Sequence, residues 1–203
     1  MYKNKFKRFF DFIGALLFLL LFFPVYIILI VFLFFYYKGT PFFTQKRPGL
    51  NNQIFHVIKF KSMIDAFDKE GNPLPNKDRI TRVGRFLRKT SLDEIPQIFN
   101  IIKGDMSFVG PRPLFESYLD FYTKRELERH SVRPGVTGLA QVNGRNFLEW
   151  NDRLALDVKY AKNVSFIMDV KILYLTFLKV LKSQDISVVP SMTPLYKVRE
   201  KRK

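Results

Sequence analysis

The chain contains no cysteine and only two histidines, His56 and His130, among its 203 residues. Without thiols there is no disulfide scaffold, no thiolate zinc or iron–sulfur site, and no cysteine nucleophile. Two histidines also exclude a multi-histidine metal centre. Acidic residues are scarce: 18 Asp+Glu stand against 34 Lys+Arg, a formal charge of +16. Such a surplus selects anionic partners, and nucleic acid, acidic lipid and phosphorylated small molecules all qualify. The phosphate-cradling GxxxxGK[ST] pattern, a strand-linked GxGxxG, a defensible Ser-His-Asp set and the signatures of DNA-binding modules are all missing. Composition alone does not choose among these partners, and a nucleic-acid or acidic-lipid binding module stays open beside an enzyme. A mass of 24.1 kDa with 47% hydrophobic residues suits one domain with a real core.

What is present begins with Phe12–Tyr37, 26 residues without a charge. As a helix this segment would measure roughly 39 Å at about 1.5 Å per residue, enough to cross a bilayer. It is too long and aromatic for a secretory signal, and no small-residue cleavage site follows. Pro24 falls near its middle and predicts a kink, because its ring removes a backbone donor and crowds the preceding turn. Both flanks are basic: Lys3, Lys5, Lys7 and Arg8 before, Lys38, Lys46, Arg47 and Lys59 after. A spanning helix shows basic bias on one side only. The pattern therefore predicts a re-entrant, monotopic anchor that dips in, bends and leaves by the same face, with a single-pass span as the alternative. Twelve of the 23 phenylalanines lie within residues 1–43, which suits a segment near the headgroup boundary.

Beyond the anchor, turn residues between alternating apolar runs predict a hairpin, Phe42–Lys46 with Ile54–Phe60. Asp65–Asp78 reads as an exposed loop. Leu114–Arg129, Phe147–Ala161 and Ser165–Lys182 read as helices, and Arg133–Arg145 as a glycine-bearing loop. Ser165–Lys182 fits an interfacial amphipathic helix, or equally one packed on the domain's own core. The fold class is mainly α with a short β-hairpin (α+β).

Two segments carry candidate chemistry. In TSLDEIPQ, Ser91 and Glu94 match a helix-capping box. The chemical reading is that Asp93 and Glu94 point about 100° apart on a helix and perform different tasks. One carboxylate would attack phosphorus, needing no base because it is already ionised, while the other holds a metal. In GDMSFVGPRPL, Pro111 and Pro113 restrict the backbone around Arg112, which suits either a plain turn or rigid presentation of a guanidinium to phosphate. Lys59 and Lys61 in KFKSM and Arg145 in GLAQVNGR add further cations.

The order of these motifs (a basic anchor with a mid-helix proline, QKRPG, KFKSM, SLDEIPQ, GDMSFVGPRP, RPGVTGLAQVNGR and YAKNVSFIMDVKIL) resembles the bacterial sugar transferase family. The resemblance is to its small monotopic polyprenyl-phosphate phosphoglycosyl transferases, some of which begin protein N-glycosylation, and runs from about residue 1 to 185. It implies transfer of a sugar-1-phosphate from a UDP-sugar to undecaprenyl phosphate with release of UMP, the sugar being an N-acetylated amino or deoxy hexose. It also implies a covalent phospho-sugar intermediate on Asp93, Mg²⁺ held by Glu94, functional arginines at Arg88 and Arg112, and phosphate contacts from Lys59 and Arg145. Asp157 matches a further required position. The implied divisions are an anchor at 1–38, a catalytic domain at 39–187 on the cytoplasmic face of the bacterial inner membrane, and a basic tail at 188–203. The implied partners are the two substrates, the phospholipid bilayer and downstream glycosyltransferases, with no nucleic acid. One departure stands out: Phe23 precedes Pro24, where the family often has serine.

Overall fold

The computed structural model describes residues 2–144, 148–182 and 193–200. A π-helical turn, Tyr2–Phe6, leads into α1 (Lys7–Tyr36). Strands β1 (Phe42–Pro48) and β2 (Ile54–Phe60) then form an antiparallel hairpin with Phe43 opposite Lys59 and Arg47 opposite Phe55. Asn51 and Asn52 turn the hairpin at φ 51° and 63°, a left-handed region that asparagine enters at little cost. The chain continues through α2 (Asn76–Arg79), α3 (Arg82–Lys89), a 3₁₀ turn at Leu92–Glu94, α4 (Gln97–Lys103) and β3 (Ser107–Val109). It closes with α5 (Lys124–Leu127), β4 (Gly135–Thr137), α6 (Leu139–Val142), α7 (Trp150–Lys162), α8 (Phe166–Leu181) and α9 (Leu195–Val198). The architecture is mostly helical with small sheets.

Helix α1 runs unbroken through Pro24 and is long and apolar enough to cross a membrane. One stripe of it lies on the body along most of its length. Near its start Asp11 accepts from the Phe108 amide, Ala15 is buried, and Arg8 donates to the carbonyls of Ile101 and Ile102. Near its end Tyr26 packs on Phe60 and Phe99, Leu33 is buried with Leu87, and the Tyr37 hydroxyl bonds Thr81 2.9 Å away. The rest of the helix, including Leu17, Leu20, Leu21, Ile28 and Phe35, is bare.

A buried polar knot ties the start of α1 to α7 and α8. Asp169 accepts from Lys7 Nζ at 2.6 Å and from the hydroxyls of Tyr2 and Tyr160, each at 2.7 Å. The one cation and two hydroxyls are not equal here: the lysine is itself buried, so the carboxylate offsets its desolvation. Opposite Asp169, α8 exposes Ile167, Val170, Tyr174, Phe177 and Leu181, spaced three or four residues apart as one apolar stripe. The helix thus packs on the body with one face and presents an apolar face outward.

Several expected elements differ. The hairpin extends to Pro48. Leu114–Arg129 is not one helix: a 3₁₀ stretch at Glu116–Phe121 ends before Thr123, which caps α5 in a reciprocal box with Glu126. Local capping restarts the chain there, overriding good helix propensity. Arg133–Arg145 is not all loop, since β4 pairs in parallel with β3 and α6 follows. The Gly135 amide donates to the Pro111 carbonyl at 3.0 Å, and a Cβ on Gly135 would lie 2.1 Å from Gly110 N. Those glycines permit backbone crossing, and the Gly135 amide is spent inside the fold. The expected basic tail is docked where described: Leu195 is fully buried, Thr193 accepts from the Trp150 indole, and Arg199 pairs with Glu126 at 2.8 Å.

Candidate active site

The 3₁₀ turn Leu92–Glu94 lies between α3 and α4, backed by β2. Ser91 enters it at φ 59° with no side-chain cap bond. The capping box read from Ser91 and Glu94 is therefore not formed, and the Glu94 carboxylate is released for other work. Asp93 is buried at 8% exposure. Lys59, at the end of β2, donates to Glu94 Oε1 at 2.6 Å and stands 3.9 Å from Asp93 Oδ2. Arg112 donates to the same Glu94 oxygen at 2.7 Å.

The two carboxylates are consequently unlike. Burial would raise both, but Arg112 and Lys59 hold Glu94 well below the ordinary carboxylate range. Burial pushes Asp93 up, and Lys59, Arg112 and Arg88 only partly oppose it. Glu94 is the fixed anion of the pair, while Asp93 is the less committed one. Two neighbouring carboxyls with separated affinities for the proton are suited to separate roles.

Arg88, on the last turn of α3, donates from Nε to the Ser62 hydroxyl at 3.0 Å and lies near enough to Asp93 to lower it. This placement depends on Gly84: a Cβ there would sit 1.8 Å from the Ser62 carbonyl oxygen. Only a glycine lets α3 seat against the extended segment that follows β2. Lys61 is diverted, pairing with Asp65 at 2.6 Å. Arg145 lies outside the described residues.

Asp157 does not reach the carboxylate pair. It is buried on α7 and accepts from Arg129 Nε and Nη2 at 3.1 and 2.7 Å. Arg129, 1% exposed, also donates to the Arg112 carbonyl at 2.6 Å and bonds His130 Nε2 at 3.0 Å. The Gly135 amide holds Pro111 from the other side. Arg129 and Ser62 were not singled out in the sequence. An arginine inside LERH reads as the solvated side of a helix, and no local pattern marks it.

A recess of about 50 Å³ opens beside the pair, lined by Arg47, Val57, Lys59, Gln97, Arg112 and Pro113. Its walls carry three cations. Among the described residues no group of three or more carboxylates and histidines gathers to cage a metal. The donor set, one or two carboxylates beside a phosphate-attracting recess, is nonetheless the kind magnesium uses with substrate oxygens.

The site gathers three cations and a buried carboxylate pair around a recess suited to an anionic, phosphorylated substrate, on a chain whose first helix is long and apolar enough to cross a membrane. Residues 2–183 match the model of the bacterial sugar transferase family, and the chain belongs to that family. It is a phosphoglycosyl transferase. Among its relatives, the uncharacterized sugar transferase EpsL of Bacillus subtilis is 47% identical over 188 residues, covering 92% of this chain and 93% of that one. The exopolysaccharide production protein ExoY of Rhizobium meliloti is 38% identical, covering 84% of this chain and 83% of its own. The UDP-glucose:undecaprenyl-phosphate glucose-1-phosphate transferase of Klebsiella pneumoniae is 40% identical over 86% of this chain, which spans 40% of its length.

Proposed function

We propose that the protein transfers a sugar-1-phosphate from a UDP-sugar to undecaprenyl phosphate through a covalent intermediate on Asp93. The observation that carries this reading is the unequal carboxylate pair: Lys59 and Arg112 both bond Glu94, while Asp93 stands 3.9 Å from the lysine. An Asp93 oxygen attacks the sugar-bearing phosphorus, and the bond from that phosphorus to the bridging oxygen breaks. The bridging oxygen leaves with UMP, and an acyl phosphate links the sugar to Asp93. An oxygen of the lipid phosphate then attacks the same phosphorus, the acyl–phosphate bond breaks, and the Asp93 carboxylate is regenerated. Lys59, Arg88 and Arg112 meet the negative charge that grows on the phosphoryl oxygens. Glu94, with diphosphate oxygens, would hold Mg²⁺, which supplies charge neutralisation at the leaving phosphate.

The anchor is read as re-entrant because both ends of α1 rest on one body: Arg8 on α4, and Tyr37 on Thr81. A spanning helix would carry those ends to opposite sides of a hydrocarbon core of about 30 Å. Pro24 is the residue at which such a path would bend, and the bilayer is the cytoplasmic membrane, where lipid phosphates lie at headgroup level. The glucose and galactose named for relatives join N-acetylated amino sugars and deoxy sugars as donors to test. The ExoY relative, named for exopolysaccharide production, favours a surface-polysaccharide product over a protein glycan.

The test is UMP release from a panel of UDP-sugars by detergent-solubilised protein with undecaprenyl phosphate and Mg²⁺. Wild type should turn over at least one donor, and quenched enzyme should carry a phospho-sugar on the peptide containing Asp93. Asp93→Asn with near-normal UMP release would remove the mechanism.

A further inference from the structure

The Arg47 guanidinium lies outside the set of groups that Glu94 gathers. It leaves β1 on the same face of the hairpin as Gln45, Val57 and Lys59, because residues opposite one another in the register share a face. Its plane lies over the Phe115 ring, 3.9 Å from the centroid, and Nη2 donates to Gln45 Oε1 at 2.6 Å. No carboxylate among the described residues pairs with it. Instead it shares the recess with Lys59 and Arg112, and burial together with the neighbouring Arg112 charge pulls it down to about 10.

Such an arrangement is costly in the free protein. Two guanidiniums face one small recess, and the nearby carboxylates, Glu94 and Asp93, are engaged by Arg112 and Lys59 rather than by Arg47. Desolvated cations without a counter-ion call for an anion. The aromatic stack fixes the plane of Arg47 while leaving its edge donors to point away from the ring, as bidentate phosphate binding requires.

We propose that Arg47, braced by Phe115, forms the subsite for the leaving nucleotide phosphate, so that Lys59 and Arg112 hold the transferred phosphoryl group and Arg47 the one that departs. The assignment deepens the proposed reaction and rests on it. It requires Arg47 to act in the donor half-reaction and to play no part once the nucleotide has gone. It also makes the nucleoside monophosphate a competitive product that Arg47 retains.

The probe is UMP itself, titrated against full-length protein in detergent, with uridine as the phosphate-free control. Arg47→Gln should weaken UMP at least tenfold and raise the KM for the donor by a similar factor, leaving uridine binding unchanged. Discharge of a preformed adduct by undecaprenyl phosphate should stay within twofold of wild type. Arg47→Lys, which keeps the charge, should lose less than Arg47→Gln and guards against a folding defect. UMP affinity indifferent to Arg47→Gln overturns the assignment, as does wild-type protein that fails to bind UMP, or equal damage to adduct discharge. Failure of the wild type to form any adduct would instead count against the covalent mechanism, and the UMP titration would still report on Arg47.

Discussion

Arg129 Nη2 reaches the backbone carbonyl of Arg112 at 2.6 Å while the same guanidinium is held by Asp157. The side chain that touches Glu94 is thus set by a second arginine that touches no carboxylate of the site. Removing either member of the Arg129–Asp157 pair should leave a buried uncompensated charge and cost about 3–5 kcal/mol. The double change Arg129→Met with Asp157→Leu should recover much of that loss, as read by urea unfolding in detergent. Turnover should not recover with it, because the Arg112 carbonyl has still lost its donor. Recovery of activity along with stability would show the pair to be structural alone.

The Asp169 knot offers a similar test at the foot of the anchor. Asp169→Asn leaves Lys7 buried with only Asp11, 3.8 Å away, as counter-charge. A loss of about 3 kcal/mol is expected, against about 1.5 kcal/mol for Tyr160→Phe, which removes one bond to a charged acceptor. Thermal unfolding in micelles would rank the two; equal effects would contradict the charge argument.

His130 gives the pH dependence. Burial, and then the neighbouring Arg129 charge, pull its imidazole from 6.5 down to about 3. In the unfolded chain it would take up a proton near its ordinary value, so between those limits the unfolded state binds more protons. Stability is therefore full above about pH 6.5 and falls as pH drops toward 3, by up to on the order of 4 kcal/mol. His130→Gln, which keeps an acceptor for Arg129, should flatten this limb of the melting-temperature profile. An unchanged slope would assign the acid sensitivity to other groups.

The absence of cysteine makes every introduced thiol a unique label. Single cysteines replacing Lys3 and Lys46 should react with an impermeant reagent from the same side of sealed vesicles. Opposite-side labelling would rule out re-entry. Spin labels at 170 and 177, on the exposed stripe of α8, should show greater oxygen than nickel accessibility, reporting contact with lipid.

The placement together of Asp93, Glu94, Lys59 and the proline-flanked Arg112 was legible because each sits in a compact local motif. The hairpin was legible for the same reason, with its Pro48-Gly49 and Asn51-Asn52 punctuation. What was not legible arises from distance along the chain. Arg129 and Asp157 meet across 28 residues, and Lys7 and Asp169 across 162. Strands β3 and β4 are three residues each, too short for alternation to register. The misread helix at 114–129 had the right propensity, yet Thr123 and Glu126 capped a new start within it.

Gly84 has no room for even a methyl group against the Ser62 carbonyl. Alanine there would lever α3 away from its seat, carrying the guanidinium four positions downstream out of range of the buried nucleophile candidate. The reach of that charged group is metered by a hydrogen atom about one helical turn upstream, at a place where enlargement by one carbon should silence the enzyme.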